Sequence, residues 1–178
     1  IASAERTLEM LGAIKDGGIT PLGREMLAIP AHPRLARLII ETRRRPALLH
    51  AGASMAALFS EKDIMLPPDP AGPRAPSVVG RSDVLLRLEL LEHAEKVNFA
   101  GHLRDQGIDP NAARQVIRTR DELLRSANAD RAAWQQVDDD DLLRLILLAY
   151  PDRVCRRREN PETATMVGGF GVKIAPTS

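Results

Sequence analysis

Along most of this chain the hydrophobic positions recur at helical spacing. In "AERTLEMLGAIKDGG", Leu8, Leu11 and Ile14 stand three apart, which predicts a first helix ending at Gly17-Gly18, where positive φ is needed. Thr20 and Pro21 then mark a second, short helix. The hydroxyl can accept from a free amide, and proline at the first position sacrifices no hydrogen bond. Pro30 ends that helix and Pro33 opens a third, in which Leu35, Leu38, Ile39 and Thr42 form one stripe. Three short helices with tight turns suit a helix-turn-helix or winged-helix module over residues 1–45.

A further helix is predicted over Ala47–Phe59, rich in Ala, Gly and Met and so able to pack closely. After it, prolines at 67, 68, 70, 73 and 76 predict an extended loop spanning 66–81. Ser82 is a good N-cap for "DVLLRLELLEHAEKVNF", whose apolar side carries Leu85, Leu88 and Leu91. Asp109 and Pro110 open another helix, with Ala113, Val116, Ile117, Leu124 and Ala127 on its buried face. The acidic run Asp138–Asp141 opens the last, "LLRLILLAY", which Pro151 stops. Beyond Asp152 the character changes. "RVCRRRE" and then "ATMVGGFGVKIAP" combine β-branched residues with a glycine cluster and read as two strands around a turn, with Cys155 on a strand. The fold class is therefore mainly α, with a short β segment at the C-terminus.

Composition narrows this picture in two ways. Hydrophobic residues make up 44% of the 178 but aromatics only 3%, so the core must be aliphatic. Net charge is +1, yet it is unevenly placed: eight Lys and Arg face five Asp and Glu in residues 1–45, twelve face sixteen in 46–150, and five face three in 151–178. A basic, acidic, basic layout lets both ends meet an anionic partner. Cys155 is the only cysteine, which excludes an internal disulfide and suits a reducing, cytoplasmic setting. The longest apolar run, "LILLAY", is too short to span a bilayer, so no membrane partner is expected. A start at Ile1 and an end within a strand-like pattern lead us to expect an excised piece of a longer protein.

Candidate chemistry is sparse. His32, His50, His93 and His102 lack the spacing of metal ligands, and Cys155 has no recognisable histidine partner for nucleophilic work. "GGFG" at 168–171 is followed by neither Lys-Ser/Thr nor a helix, so a hairpin turn explains it better than a phosphate loop. No catalytic residue, metal or cofactor is expected in this chain. The basic elements are more informative. Arg114, Arg118 and Arg125 recur on one side of the helix after Asp109, and guanidinium groups so placed can track a phosphate backbone. The same arginines also fit an ordinary solvated face with Arg118–Asp121 and Asp121–Arg125 pairs. Arg43, Arg44 and Arg45 form a second cluster, and Arg156 and Arg157, with Arg158, a third. With so few aromatics, backbone contact rather than base stacking is the expected mode.

Several phrases together resemble one family. "ITPLGREMLAIPAHPRLARLII" resembles the winged-helix stretch of DEAH-box RNA helicases, and "RSDVLLRLELLEHA" and "NAARQVIRTRDELL" resemble the ratchet-type helical domain that follows it. "LLRLILLAYPDRVCRRRE" is similar to the passage into a C-terminal OB-like barrel. "AIPAHPRLARLI" and "AYPDRVCRRR" are most like the bacterial HrpB branch. "GGFGV" resembles that family's turn, but carries Phe170 where a basic residue is frequent. The resemblance implies a winged-helix module at 1–45, a ratchet-like bundle at 46–150 and the beginning of an OB-like region at 151–178. It implies further that ATP and Mg2+ are bound and ATP hydrolysed by core domains lying elsewhere in a parent helicase. This segment would pack on that core and form one wall of a tunnel for single-stranded RNA, with DNA as a second candidate. The contacts would fall to Arg114 and Arg118, with Arg43–Arg45 near the module junction.

Two other readings start from the same residues. A winged-helix regulator would read duplex DNA with the helix Pro33–Arg45 in the major groove, although that helix has no Asn or Gln. A protein-interaction module would fit the near-zero net charge.

Overall fold

The first helix is shorter than its hydrophobic spacing predicts. In the structure, a computed structural model describing residues 2–67, 81–129, 134–160 and 162–173, helix α1 (Ala2–Met10) gives way at Gly12, whose φ is 73°. Ile14 belongs to strand β1 (Ile14–Lys15), paired antiparallel with β2 (Gly18–Ile19) so that Ile14 faces Ile19. Asp16 and Gly17, at φ 51° and 75°, form the connection. An Asp-Gly pair with both residues left-handed is a favoured two-residue hairpin, and this local chemistry overrides the three-residue apolar spacing. Gly17 therefore turns a hairpin and Gly18 begins its second strand, and the pair does not terminate a helix.

The next two helices begin where their caps predict. Thr20 Oγ1 accepts from the Gly23 amide at 2.9 Å and donates to the Gly12 carbonyl at 2.6 Å, opening α2 (Pro21–Leu27) and fixing it to the end of α1. Pro30 lies two residues past the C-cap Ala28. His32 then caps α3 (Pro33–Arg43), its Nδ1 accepting from the Arg34 amide at 3.3 Å. The two prolines thus end one helix and begin another within a few residues, setting the angle between them. Leu35, Leu38, Ile39 and Thr42 are buried as the stripe predicts, joined by Ala36 and Ile40.

Helix α3 lies at the centre and packs against α2, α4 (Leu49–Ser60) and α7 (Asp139–Ala149). Nearly all of α4 is buried, and a Cβ at Gly52 would stand 2.2 Å from the Thr42 methyl, so small residues let α3 and α4 approach closely. Around α4 stand α5 (Asp83–Lys96) and α6 (Pro110–Ser126). Ser82 precedes α5 at the N-cap position, but its hydroxyl makes no capping bond. Asp109 caps α6 through the amides of Asn111 and Ala112, and Asp138 caps α7 through that of Asp140. One hydrophobic cluster runs from Leu11 to Ala149 and includes residues of every helix from α2 to α7. The opening three helices and the later bundle share that core. The proline-rich stretch expected at 66–81 lies largely outside the described residues.

After α7 the chain forms three strands where two are predicted. β3 (Cys155–Arg157), β4 (Thr163–Met166) and β5 (Gly171–Lys173) pair antiparallel in that order. The β4–β5 turn contains Gly168 and Gly169 at φ 92° and 88°, as the glycine cluster suggests. The arginine run, expected to share two strands with the stretch after it, forms a strand of its own with Cys155 on it, and the glycine-centred stretch supplies the other two.

Arg34 ties the start of α3 to the segment after α7. Its guanidinium forks onto Asp152, with Nη2–Oδ2 at 2.8 Å, donates to the Ala149 carbonyl at 3.1 Å, and lies 5.1 Å from the Tyr150 ring centroid. The hydrogen bond from Arg34 holds the Asp152 carboxyl below its usual range despite partial burial. A lowered folded value adds stability above the unfolded value, about 3.9, and that stability is lost as pH falls through the folded one. Arg34→Met should therefore lower stability by about 1–3 kcal/mol at neutral pH and by much less near pH 2–3. Urea titrations at both pH values test this; an equal loss at the two would contradict it.

Candidate nucleic-acid interface

Helical geometry sets Arg114, Arg118 and Arg125 within about 40° of one another around α6. The structure nevertheless gives them different duties. Arg114 Nη1 donates to Asn111 Oδ1 at 3.0 Å and Nη2 to the Phe99 carbonyl at 3.1 Å, while its Cζ sits 5.2 Å from the Phe99 ring centroid. Asn98 and Phe99 are consecutive left-handed residues, at φ 51° and 55°, in the connection from α5 towards α6. Such backbone costs about 1 kcal/mol or more per residue, and Arg114 braces it. Arg114→Ala should lower stability by about 1–2 kcal/mol with no nucleic acid present. A denaturation midpoint equal to wild type would show that Arg114 is not a brace.

Arg118 and Arg125 are exposed, and among the described residues neither lies within ion-pairing distance of a carboxylate. The pairs with Asp121 that the solvated-face reading supposes do not form. Asp121 Oδ1 instead accepts from Arg120 Nε at 2.9 Å. Arg120 is 6% exposed and also forks onto Glu95 at 2.8 and 3.0 Å. Sequence reasoning missed this residue. Its signal was spacing: four residues after Val116 and three before Leu123, it falls on the apolar face of α6. Beside this network His50, held below its usual pKa chiefly by burial and then by Arg120, meets the Trp134 ring edge-on at 5.4 Å.

The other two clusters also divide. Arg45 pairs with Asp141 at the start of α7, 3.1 Å away, and Arg44 lies 3.6 Å from Glu41. Arg43 is exposed with no such partner among the described residues. Arg156 and Arg157 are exposed on β3, likewise without a carboxylate partner among the described residues, while Arg158 Nε donates to Thr165 Oγ1 at 2.8 Å. Alternation along the strand sends Arg156 and Arg157 to opposite faces of the sheet. The three groups stand on separate elements, and among the described residues no hydrogen bond joins one group to another. What they offer is a set of unpaired guanidiniums suited to phosphates.

The opposite sign gathers elsewhere. A recess of about 330 Å3 between α5 and α7 is lined by Leu88, Trp134 and Leu142 with Glu89, Glu92 and Asp139. Those carboxylates disfavour a phosphate chain there. No described helix is long and apolar enough to cross a membrane.

Comparison with known proteins now bears on these features. Residues 4–31 match the winged-helix helicase associated domain (HA2). The fold is similar to that of "E. coli DExH-box NTPase HrpB", with 21% identity and a TM-score of 0.63 over 99% of this chain and 17% of that one. It is also similar to "Escherichia coli DEAH/RHA helicase HrpB", with 21% identity and a TM-score of 0.61 over 99% of this chain and 18% of the other. The chain thus spans less than a fifth of either solved protein's length. No curated protein sequence matches it. At this identity what is shared is the fold, and the resemblance seen in the sequence to the helicase-associated region of HrpB-type helicases stands.

Proposed function

We propose that this chain is a non-catalytic accessory segment of a bacterial, cytoplasmic, ATP-dependent RNA helicase. It packs on the ATPase core of the longer protein and guides single-stranded nucleic acid during translocation. The observation that carries this reading is the likeness to HrpB along 99% of the chain. ATP and Mg2+ belong to the core domains, so the chain alone is not an enzyme. Arg118, Arg125, Arg43, Arg156 and Arg157 supply backbone contacts, while Arg114, Arg44 and Arg45 serve mainly to hold the structure. A core continuous from Leu11 to Ala149 suits a lever, because a push on one helix reaches the others through packed side chains.

The rival reading as a duplex-reading regulator meets a physical obstacle. Helix α3 is enclosed by α2, α4 and α7, and Arg34 at its N-terminal end is locked onto Asp152. A recognition helix must present its N-terminal residues to base edges in the major groove. Binding of the purified chain to labelled single-stranded RNA, and to duplex DNA of varied sequence, separates the two. Weak, sequence-independent preference for single strands with no ATP turnover is expected. Sequence-selective duplex binding would support the regulator, and ATP turnover by the pure chain would refute the assignment of chemistry elsewhere.

A further inference from the structure

Phe170 is 67% exposed, far more than either of the chain's other two phenylalanines. It follows the Gly168-Gly169 turn and closes the hairpin, its carbonyl accepting from the Met166 amide at 2.8 Å. The ring lies on the side of Gly168 that a side chain would take: Cε2 and Cδ2 lie 3.4 and 3.6 Å from where a Cβ on that residue would be. A phenylalanine has only two side-chain torsions to fix when something packs on it.

One cation shares its face of the sheet. The register pairs Thr165 with Gly171 and Cys155 with Met166, and the hydrogen bond between Met166 and Phe170 continues it. By alternation Phe170 shares a sheet face with Met166, Ala164, Val172, Cys155 and Arg157. Arg157 lies two strands and two residues away, about 12 Å by sheet spacing, a distance that one or two nucleotides bridge. Arg158 Nη2 reaches across the other face, to 3.5 Å from where a Cβ on Gly171 would be. Val154 and Val167, also exposed, fall by alternation on the face of Arg156 and Thr165; on the ring's own face Met166 and Val172 are half-buried and Ala164 is buried, which leaves Phe170 as its exposed apolar group.

We infer that Phe170 is a stacking platform for one unpaired base of single-stranded nucleic acid, with Arg157 holding a phosphate of the same strand. This rests on the nucleic-acid reading above and refines it: contact is by backbone over α6 but includes one base at the hairpin. Every base has a π-face, so the platform adds affinity without selecting sequence. Duplex, whose bases are already stacked, gains nothing from it.

The test uses the full chain and a short single-stranded RNA carrying one 2-aminopurine, whose fluorescence reports stacking. Phe170→Leu should weaken binding at least about fivefold, abolish the stacking signal and leave the salt dependence unchanged. Phe170→Trp should restore both affinity and signal. Arg157→Gln should lower the slope of log affinity against log salt by about 0.7, the value for one single-strand phosphate contact. Wild-type binding with Phe170→Leu equally tight would overturn this inference alone, and would also be the result if Phe170 docks a protein. A wild-type chain that binds no RNA would overturn it together with the broader reading.

Discussion

Gly23→Ala is expected to destabilise the protein by about 3 kcal/mol, although helix propensity alone favours alanine by about 1 kcal/mol. A Cβ at this buried position would stand 2.1 Å from the Ala13 carbonyl oxygen and 2.9 Å from Ile19 Cγ1. The oxygen cannot retreat cheaply. It accepts from the Thr20 amide at 3.0 Å and lies 3.1 Å from Thr20 Oγ1, so moving it unpicks the cap of α2. Because the clash is with backbone, no rotamer change relieves it. Gly101 supplies the control, with no heavy atom within 4 Å of its would-be Cβ. Urea denaturation should show Gly101→Ala near wild type and Gly23→Ala far below it. A Gly23→Ala protein as stable as wild type would mean that α2 does not press on the hairpin in this way.

The second large effect is an asymmetry within the Arg120 network. Glu95→Ala leaves a buried guanidinium with Asp121 as its remaining charge partner. It should cost about 2–3 kcal/mol, less than the 3–5 of a fully buried pair because Glu95 is 41% exposed. Arg120→Met removes the buried cation and fills its space with an unbranched apolar chain, so it should cost clearly less. Hydrogen bonding to Arg120 holds the Glu95 carboxyl below its usual range. Its contribution is therefore complete above the unfolded value, about 4.3, and disappears as pH falls through the folded one. Thermal or urea midpoints of both variants decide the matter. If Arg120→Met were the more damaging, packing by the arginine stem, and not the stranded charge, would dominate.

These expectations show where the sequence was informative. Helix starts were legible at Thr20-Pro21, Pro33, Asp109-Pro110 and Asp138, because a cap is chemistry between neighbours in the chain. The end of α1 was misread because two local signals competed, and the Asp16-Gly17 turn prevailed over Leu8, Leu11 and Ile14. The β segment beyond Asp152 was legible, Cys155 on a strand included, but its strand count was not, because "RVCRRRE" carries no apolar alternation and its extended backbone is fixed by pairing with β4. At the candidate interface, the sequence set Arg114 beside Arg118 and Arg125 correctly. It gave no means of seeing that Phe99 and its strained backbone would occupy Arg114. Arg120 was legible in principle, since its spacing places it among Val116, Leu123 and Leu124. A charged residue on that face announces a counter-charge, here Glu95 from another helix.

The guiding role is tested most directly by the salt dependence of single-stranded RNA binding to the wild-type chain and to an Arg118→Glu/Arg125→Glu double variant. If these guanidiniums carry phosphates, the double variant binds more weakly and its slope against log salt is shallower by about 1.4, two contacts' worth. Equal affinity and equal slope in the two proteins would contradict the account, and would return the outer face of α6 to plain solvation.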